Sequence, residues 1–345
     1  MFLRNVVAAS TAALLLAGCA GPAQPGPAAS GPTESGTLTV VTHESFALAE
    51  ETLARFRSES GYDVKFVAPG DAGTVLNQLI LTKDAPLGDV VFGIDNTFAG
   101  RAIDAGVLAP YASPELPSGA EQFAADDSAA LTPVDYGDVC LNADTAWFRD
   151  RKLAVPESLD DLLKPEYADL LVVSNPASSS PGLAFLVATI GAKGDPGYLD
   201  YWKALKANGL KVVKGWTEAY TVEFSGSSGK GDRPLVLSYS SSPAYEPATE
   251  ALVRTCFRQV EYAGVIAGAQ NEVGARKFID FLLSEEVQAQ IPEQMYVYPV
   301  DPDVELPAEW REHAATAADP FEVPVAQIAA KREEWIRAWT AEVIG

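Results

Sequence analysis

Leu38-Thr39-Val40-Val41-Thr42 and Asp89-Val90-Val91-Phe92-Gly93-Ile94 are the two stretches of the sequence that decide the fold. Both are short and rich in β-branched residues, which favours strands buried on both faces. Between them lie helical spacing over 49–58, a further strand at Val64-Lys65-Phe66-Val67 and helical spacing over 74–82. This alternation of strands and helices predicts a mostly parallel sheet with helices on its faces.

The same pattern restarts after residue 134. Strands are predicted at 170–174, 211–213, 235–239 and 257–266, and helices at 159–163, 181–190, 200–207, 272–283 and 325–343. A helix predicted at 97–105 belongs to the first unit, before this restart. Two α/β units in one chain predict a bilobed binding protein. In such proteins the ligand lies in a crevice at the carboxyl ends of the strands.

The charge balance excludes several classes of function. The 345 residues include 25 Lys and Arg against 47 Asp and Glu, a formal net charge of −22. Nucleic acids and anionic lipid surfaces are bound through clustered basic side chains, so neither is an expected partner. The chain has only two His and lacks the HExxH, P-loop and G-x-S-x-G motifs, which argues against an enzyme and against a structural zinc site.

The N-terminus has the pattern of an export signal. Arg4 precedes an apolar run from Val6 to Ala17 that is too short to span a bilayer. The run ends Leu15-Leu16-Ala17-Gly18-Cys19, which resembles the lipobox of bacterial lipoproteins. We therefore expect a signal peptide over 1–18, diacylation of Cys19 and a disordered tether over 19–36. The mature protein is then extracytoplasmic, anchored by lipid to the outer face of the cell membrane, or periplasmic; an ordinary signal peptide with an incidental Cys is the alternative.

Two further cysteines, Cys140 and Cys256, lie in apolar, strand-like segments. In an exported chain this pair favours one disulfide. Two buried free thiols are the alternative.

The predicted strand ends carry aromatic rings and carboxylates but few Lys or Arg. A flat heteroaromatic cation is well held by such a set, through cation–π contacts, ring stacking and a carboxylate. Serines before the helix at 181–190 suit a hydroxyl or a phosphate at a helix N-terminus. The candidate binding residues are His43, Glu44, Asp95, Asp135, Ser179, Ser180, Trp216, Tyr220, Tyr239, Tyr245 and Tyr296.

Each candidate also has a structural interpretation. The aromatic residues could belong to the core. Glu44 could interact with a helix dipole, Asp95 could cap the helix at 97–105, Asp135 could belong to a hinge, and Ser179 with Ser180 could form a loop and N-cap.

Two longer motifs identify a family. Lys214-Gly215-Trp216-Thr217-Glu218-Ala219-Tyr220 is close to KGWSEAY, and Leu237 to Tyr245 reads LSYSSSPAY, close to LSYTTSPAY. Asp135-Tyr136-Gly137 and Ser180-Pro181-Gly182-Leu183 add support in the same order and spacing. From about Leu38 onward, the chain resembles the substrate-binding protein of the bacterial thiamine ABC transporter.

This resemblance implies an α/β, two-lobed type II periplasmic-binding-protein fold, each lobe a mixed, mostly parallel sheet flanked by helices and joined by a hinge. One lobe would comprise 37–134 with 264–345, and the other 135–263. It further implies a monomeric, non-enzymatic protein without a cofactor. Such a protein binds thiamine or its phosphates and delivers the ligand to an ABC permease and its ATPase.

The resemblance also implies roles for individual residues. Trp216, Tyr239 and Tyr245 correspond to aromatic walls of the site. His43 stands where the family has an aromatic residue, and Glu44 where it has an acid one methylene shorter. Tyr296 stands at the position of a family Trp.

Two other functions remain open at this level. A ferric-iron-binding protein of the same fold could use tyrosinate oxygens from Tyr239, Tyr245, Tyr296 and Tyr298, although these tyrosines are not adjacent in sequence. An extracytoplasmic hydrolase could use His43, Glu44 and a Ser.

Overall fold

The computed structural model describes residues 36–345. Ten strands run through this part of the chain: β1 Gly36–His43, β2 Tyr62–Gly70, β3 Val90–Asp95, β4 Leu108–Ala109, β5 Thr132–Asp144, β6 Leu171–Ser174, β7 Lys211–Val213, β8 Leu235–Tyr239, β9 Thr249–Ile266 and β10 Tyr298–Pro299.

Helices separate most of these strands. The α-helices are α1 Glu50–Ser60, α2 Ala72–Leu81, α3 Ala99–Ala105, α4 Thr145–Arg151, α5 Ser180–Lys193, α6 Gly197–Ala207, α7 Trp216–Glu218, α8 Glu272–Leu282, α9 Glu285–Met295, α10 Ala308–His313 and α11 Val325–Val343. A π-helical turn, Ala219–Glu223, continues α7 directly.

The strands β1 and β3 are buried on both faces, as their composition predicts. Val40 and Phe92 belong to a core cluster that includes Phe56 of α1 and Phe278 of α8. Val41, which follows Val40, belongs to the larger cluster that extends into the rest of the molecule. Successive residues of a strand point to opposite faces, so helices must cover both sides of the sheet.

The main path of the sheet has the order β2-β1-β3-β9-β5-β8-β6-β7. The outer strands pair in parallel, β1 with β2 and β3, and β6 with β7 and β8. The centre is antiparallel, because β5 pairs with β8 and β9, and β9 pairs with β3. The sheet is therefore mixed. We call the parallel strands β1 to β3 the β1–β3 side and the parallel strands β6 to β8 the β6–β8 side; the antiparallel strands β5 and β9 join the two sides.

Several predicted elements coincide with the structure, including β7, β8 and α11. The prediction for β9 began at residue 257, whereas the strand begins at Thr249, because exposed Glu250 and Arg254 interrupt the apolar pattern of its first half. The helix predicted at 159–163 is only a 3-10 turn, Asp161–Leu163. Sequence analysis missed α9, which contains Pro292.

Cys140 of β5 and Cys256 of β9 form a disulfide across 116 residues of sequence. This confirms the predicted pairing. The bond lies where the register of the β5–β9 ladder shifts, between Val139 and Leu141. Cys19 and the predicted signal and tether lie outside the described residues.

The last helix, α11, packs against both sides of the sheet. Arg332 lies over the ring of Phe98 on the β1–β3 side, with its guanidinium carbon 4.4 Å from the ring centroid. Trp339 packs edge-on against Trp202 of α6 on the β6–β8 side, with centroids 5.4 Å apart. Within residues 36–345, no helix is long and apolar enough to cross a membrane.

Candidate ligand-binding cleft

A cleft opens between the carboxyl ends of the strands on the two sides of the sheet. Its lining comes from the loops after β1 and β2, from α5, α7, β8 and β9, and from the end of α9. The lining residues are His43, Ser45, Asp71, Ser180, Pro181, Trp216, Tyr239, Glu261, Met295 and Val297. The enclosed volume is about 30 Å³, whereas sites for drug-sized ligands span about 300–1,000 Å³. A two-ring ligand therefore enters only when the cleft widens.

Trp216 forms one wall of the cleft. Its indole Nε1–H donates a hydrogen bond of 3.0 Å to Ser238 Oγ, which fixes the ring plane. Tyr220 stacks behind it, with ring centroids 5.0 Å apart and planes 13° apart. The π-helical turn that follows α7 carries Tyr220 and makes this stacking possible. The indole thus presents a fixed edge and face to a ligand.

Tyr239 stands beside Trp216, with ring centroids 6.4 Å apart. Its hydroxyl receives a 3.2 Å hydrogen bond from the amide of Gln259 on β9. A Cβ at Gly137 would lie 2.8 Å from the Tyr239 ring, so only glycine allows the two strands to pack this closely here. Burial raises the pKa of the Tyr239 hydroxyl well above its ordinary value, which keeps it a neutral donor.

His43 and Glu261 meet at the floor of the cleft. His43 ends β1, and its Nε2 lies 3.7 Å from Glu261 Oε2. The Ser45 backbone N–H donates to His43 Nδ1 at 3.2 Å, so in the neutral ring the proton sits on Nε2, facing Glu261. Burial is the largest single effect and lowers the pKa of His43, but the interactions with Glu261, Asp71 and Glu44 together outweigh it, and the pKa is raised overall.

Asp95 and Ser180 join the two sides of the sheet below the cleft. Asp95 ends β3 and is fully buried; its Oδ1 accepts from the backbone N–H and hydroxyl of Thr97, both at 2.6 Å. Its Oδ2 accepts from the Ser180 hydroxyl at the start of α5. Burial raises the pKa of Asp95 to about 6 in spite of these bonds. Asp95 does not take the predicted capping role, because α3 begins at Ala99 with Phe98 at its N-cap; its carboxylate instead holds the turn before α3 and makes a contact across the cleft.

Further contacts cross the cleft above this pair. The Asp71 carboxylate accepts from the Trp216 backbone N–H at 3.1 Å. The hydroxyls of Ser45 and Thr217 are 3.1 Å apart, and the Gly73 N–H donates to the Ser178 carbonyl at 3.1 Å. These hydrogen bonds tie the loops of the β1–β3 side to α5 and α7, and they hold the cleft narrow.

The structure brings four of the predicted site residues into the lining: His43, Ser180, Trp216 and Tyr239. Three others support the lining from behind: Tyr220 beneath Trp216, Asp95 beneath Ser180, and Asp135, which is opposite Glu261 in the β5–β9 ladder. Asp135 is fully buried, and burial together with the Glu261 charge raises its pKa well above the ordinary value.

The remaining four predicted residues are not in the lining. Glu44 is exposed beside the cleft. Ser179 caps α5, with its hydroxyl directed at Ser174. Tyr245 donates to the Pro292 carbonyl at 2.6 Å and packs against Tyr296, whose backbone carbonyl accepts from Ser241. Neither tyrosine ring is among the described lining residues.

Sequence analysis missed two carboxylates of the lining, Asp71 and Glu261. Asp71 directly follows β2 and caps α2, so the rule that selected the other strand ends could have found it. Glu261 lies in the middle of β9, and no motif marks it. Only the pairing of β9 with its neighbours places it at the floor of the cleft.

The lining has a consistent chemistry. Its ionisable side chains are His43, Asp71, Tyr239 and Glu261, and none of the ten described lining residues is Lys or Arg. Within residues 36–345 there is also no group of three or more His, Cys, Asp or Glu arranged to hold a metal ion. An acidic, aromatic cleft between two sides of a sheet that share long crossing strands has the architecture of a bilobed solute-binding protein.

Comparison with known proteins agrees with this class. The family model described as bacterial extracellular solute-binding protein matches residues 85–317. The thiamine-binding periplasmic protein of Salmonella typhimurium is 31% identical over 323 residues, which cover 89% of this chain and 93% of the relative. The chain therefore belongs to the bacterial extracellular solute-binding proteins, which serve transport and are not enzymes.

Solved structures give the same fold. A structure titled periplasmic thiamin binding protein superimposes with a TM-score of 0.78 at 29% identity, covering 89% of this chain and 96% of that one. The ferric binding protein from Campylobacter jejuni superimposes with a TM-score of 0.71 at 16% identity, covering 88% and 99%. The second match shows the shared fold alone. The predicted fold class and the predicted absence of enzymatic activity are confirmed, and the hydrolase alternative is wrong.

Proposed function

We propose that this protein captures thiamine, or one of its phosphate esters, between the two sides of the sheet and delivers it to an ABC permease. The carrying observation is the pairing of Trp216 and Tyr239 above His43 and Glu261, in a lining without Lys or Arg. The thiazolium ring of thiamine has a fixed positive charge. Aromatic faces and carboxylates hold such a ring by cation–π contacts of about 0.5–2 kcal/mol each and by direct charge attraction.

The relatives support this ligand. The chain aligns with thiamine-binding periplasmic proteins over 89% of its length. The motif around Trp216 and the strand that ends at Tyr239 both contribute directly to the lining. The residues of the sequence motifs are thus the ones that form the aromatic part of the cleft.

The N-terminus of α5 offers a site for the phosphate group of a thiamine phosphate, beside the aromatic rings of the cleft. Ser180 and Pro181, the first residues of α5, line the cleft, and this 14-residue helix directs its N-terminus there. Helix N-termini attract phosphate through unsatisfied N–H groups and the helix dipole. Because the cleft lacks Lys and Arg, we expect the helix alone to favour the phosphate, and the monophosphate to bind within a few-fold of thiamine.

Ferric iron is not favoured by the cleft. Of the four tyrosines considered for iron, only Tyr239 lines it. Tyr245 is engaged by Trp310 and by the Pro292 carbonyl, and Tyr298 is buried against Trp310. The hydroxyls therefore do not converge on one point.

Calorimetric titration of the purified mature chain with thiamine, thiamine monophosphate and thiamine diphosphate tests the proposal. We expect at least one of the three to bind with a Kd below about 1 μM, or about −8 kcal/mol. Ferric citrate is titrated in parallel and should produce no tyrosinate absorption. The proposal fails if no member of the thiamine series binds in that range.

We infer that Cys19 carries a lipid anchor, since two acyl chains give stable membrane binding and one does not. Metabolic labelling of the producing cells with an alkyne-tagged fatty acid tests this: the label should enter the wild-type protein and not a Cys19→Ala variant. Equal labelling of the two proteins would contradict the anchor.

A further inference from the structure

The carboxylates of the cleft are not equally available to a ligand. Asp71 Oδ1 accepts from Ala72 N–H at 2.7 Å and its Oδ2 accepts from Trp216 N–H at 3.1 Å. Asp95 has one oxygen on Thr97 and the other on Ser180. Both acids therefore use both oxygens to hold the protein together. Among the described lining residues, Glu261 is the other carboxylate besides Asp71, and its oxygens accept no such hydrogen bond from a backbone N–H or a hydroxyl.

Glu261 occupies the centre of a row of acids. Its register partners are Asp95 on β3 and Asp135 on β5, so the three side chains share one face of the sheet. Directly opposed residues in antiparallel strands have Cβ atoms about 4.5–5.5 Å apart. Asp135 is fully buried beside Glu261, and burial together with the Glu261 charge raises its pKa well above the ordinary value, so Asp135 holds a proton that a free carboxyl would lose. At the floor of the cleft, Glu261 has no Lys or Arg beside it among the described lining residues, and His43 is the nearest group that can carry a positive charge.

Two ionisable hydrogen-bond donors of the lining face this row of acids, namely His43 and Tyr239. The Nε2 of His43 is buried, lies 3.7 Å from Glu261 Oε2 and has no hydrogen-bond partner within the described residues. This distance of 3.7 Å is too long for a hydrogen bond, but a small shift of either side chain would bring the two atoms within hydrogen-bonding distance. Gly93, with φ +91°, leaves the space for the imidazole, because a Cβ there would lie 2.2 Å from His43 Cδ2. His43 is therefore placed to orient Glu261 and does not saturate it.

We propose that Glu261 is the specificity-determining carboxylate of the cleft, which pairs with the positively charged ring of the ligand while His43 orients it. This inference rests on the proposed function and names the group that selects a cationic ring over a neutral one. A cation beside Glu261 pairs with a carboxylate that has no Lys or Arg beside it in the described lining. A neutral ring of the same shape gains the aromatic contacts alone.

A Glu261→Gln variant separates these contributions, because the amide keeps the shape and removes the charge. Glu250→Gln on the exposed first half of the same strand is the matched control. Affinities are measured by calorimetry for thiamine and for thiochrome, its neutral fused-ring oxidation product. We expect Glu261→Gln to weaken thiamine binding at least tenfold and thiochrome binding less than threefold, with Glu250→Gln within twofold of the wild type for both.

The thermal unfolding midpoint of the ligand-free variants distinguishes recognition from a structural role. Removing a charge from the acid row should leave the midpoint of Glu261→Gln equal to or above that of the wild type. A merely structural glutamate would instead lower it.

The outcomes are separable. Wild-type protein that binds no member of the thiamine series would overturn the proposed function and this inference together. Wild-type protein that binds thiamine, with Glu261→Gln within threefold of it, would overturn the inference alone. Parallel losses for thiamine and thiochrome with a lowered midpoint would also overturn it.

Discussion

At the scale of single residues, the cleft depends on side chains whose positions are set by neighbours outside it. Trp216 has Tyr220 behind it and Ser238 at its indole nitrogen. Tyr239 is held by Gln259 and fits only because residue 137 is glycine. A ligand that meets rings already fixed in this way loses less free energy to the ordering of side chains.

Replacing Trp216 by alanine should weaken thiamine binding at least tenfold, since the ligand loses one aromatic wall. The fold should persist because the side chain is only partly buried. Trp147→Ala, at a half-buried position on α4 away from the cleft, is the control and should leave the affinity unchanged. Calorimetry measures the affinity and circular dichroism checks the fold. Equal affinities for the two variants would remove Trp216 from the site.

A substitution at Gly93 tests whether His43 needs the close approach of the backbone at this position. Gly93 and Gly119 have nearly the same φ, +91° and +93°, but a Cβ at residue 93 would lie 2.2 Å from the imidazole, whereas one at residue 119 would meet nothing within 4 Å. Alanine at either position carries the same backbone strain, of order 1–3 kcal/mol. Only Gly93→Ala should also displace His43 and weaken thiamine binding, which calorimetry measures. Equal thiamine affinity in the two variants would contradict this role of Gly93.

The buried acids predict how stability depends on pH. Asp95 has a folded-state pKa of about 6 against an ordinary value of 3.8, so the folded protein binds its proton more tightly than the unfolded chain does. The resulting stabilisation is complete below the unfolded value and is lost as pH rises through about 6. It corresponds to roughly 2.4 kcal/mol of the free energy of unfolding between pH 4 and pH 7, out of about 3 kcal/mol for the full shift in pKa. Asp135, whose pKa is also raised, acts in the same direction.

Urea unfolding of the ligand-free protein at pH 4, 5, 6 and 7 measures this dependence. We expect Asp95→Asn to reduce the loss of stability across the range, because its side chain does not titrate. Asp104→Asn, an exposed position on α3, should retain the wild-type slope. A slope that Asp95→Asn leaves unchanged would show that Asp95 is not the titrating group.

At the scale of secondary-structure elements, β5 and β9 are the decisive pair. Each runs from one side of the sheet to the other, and the ladder between them is the longest in the molecule's described part. The disulfide, the ion pair of Arg258 with Asp138 and the glycine beside Tyr239 all lie near the middle of this ladder. The crossing strands thus form both the connection between the two sides and the floor of the cleft.

The disulfide should contribute substantially to stability. It closes a loop of 116 residues, for which restriction of the unfolded chain predicts about 4–5 kcal/mol and measured losses are typically 2–5 kcal/mol. We expect the Cys140→Ala, Cys256→Ala double variant to lose about 2–5 kcal/mol in urea unfolding, and reduction of the wild type to have a similar effect. Because both residues lie outside the lining, thiamine affinity should change little at temperatures where the variant is folded. A loss below about 0.5 kcal/mol would contradict the expected contribution.

The terminal helix α11 is a second element that contacts both sides. Its sequence predicts an apolar face with Ile328, Trp335, Ile336 and Trp339, of which Ile336 is half-buried and the other three are buried. The buried Arg332 was not predicted; its guanidinium lies over the ring of Phe98 and pairs with Glu333. A helix that packs against α3 and α6 at once must shift on at least one of them when the cleft widens.

At the scale of the whole molecule, ligand entry and closure are linked. A cleft of about 30 Å³ does not admit two rings, so the ligand enters a wider form and the contacts across the cleft reform around it. The lobe boundaries predicted from the sequence, 37–134 with 264–345 and 135–263, remain a proposal for the bodies that move. Because α11 packs against both sides of the sheet, it is the segment that fits least well into either of these two lobes.

Asp71 provides a test of closure. An Asp71→Asn variant can keep the Oδ1 cap on α2 but replaces the oxygen that accepts from Trp216 N–H by an amide donor. Losing this charge-assisted hydrogen bond should cost about 1 kcal/mol or more, and so weaken thiamine binding at least fivefold. Small-angle X-ray scattering should show a smaller radius of gyration when thiamine is added to the wild type, and a smaller change in the variant.

Asp150→Asn, at an exposed position on α4, is the control for Asp71→Asn and should behave as the wild type in both measurements. Unchanged affinity and compaction in Asp71→Asn would show that this hydrogen bond does not stabilise the closed form.

The sequence by itself determined the features that depend on local patterns. β-branched runs and helical spacing predicted most strands and helices, since these depend on periodicity. The motifs around Trp216 and Tyr239 predicted the aromatic walls, and residue counting predicted the disulfide. These features are encoded within a few residues of one another, or in a short list of possibilities.

Only the tertiary structure decided which polar residues share the cleft. Glu261 lies in the interior of a strand, and Asp95 and Asp135 become its neighbours through pairings between residues more than 100 positions apart. Conversely, Tyr245 lies in a family motif, yet its hydroxyl donates to the distant Pro292 carbonyl and its ring is not in the described lining; Tyr296, which packs against it, is also outside that lining. Strand register and hydrogen bonding between distant segments fix these positions, and neither leaves a local pattern in the sequence.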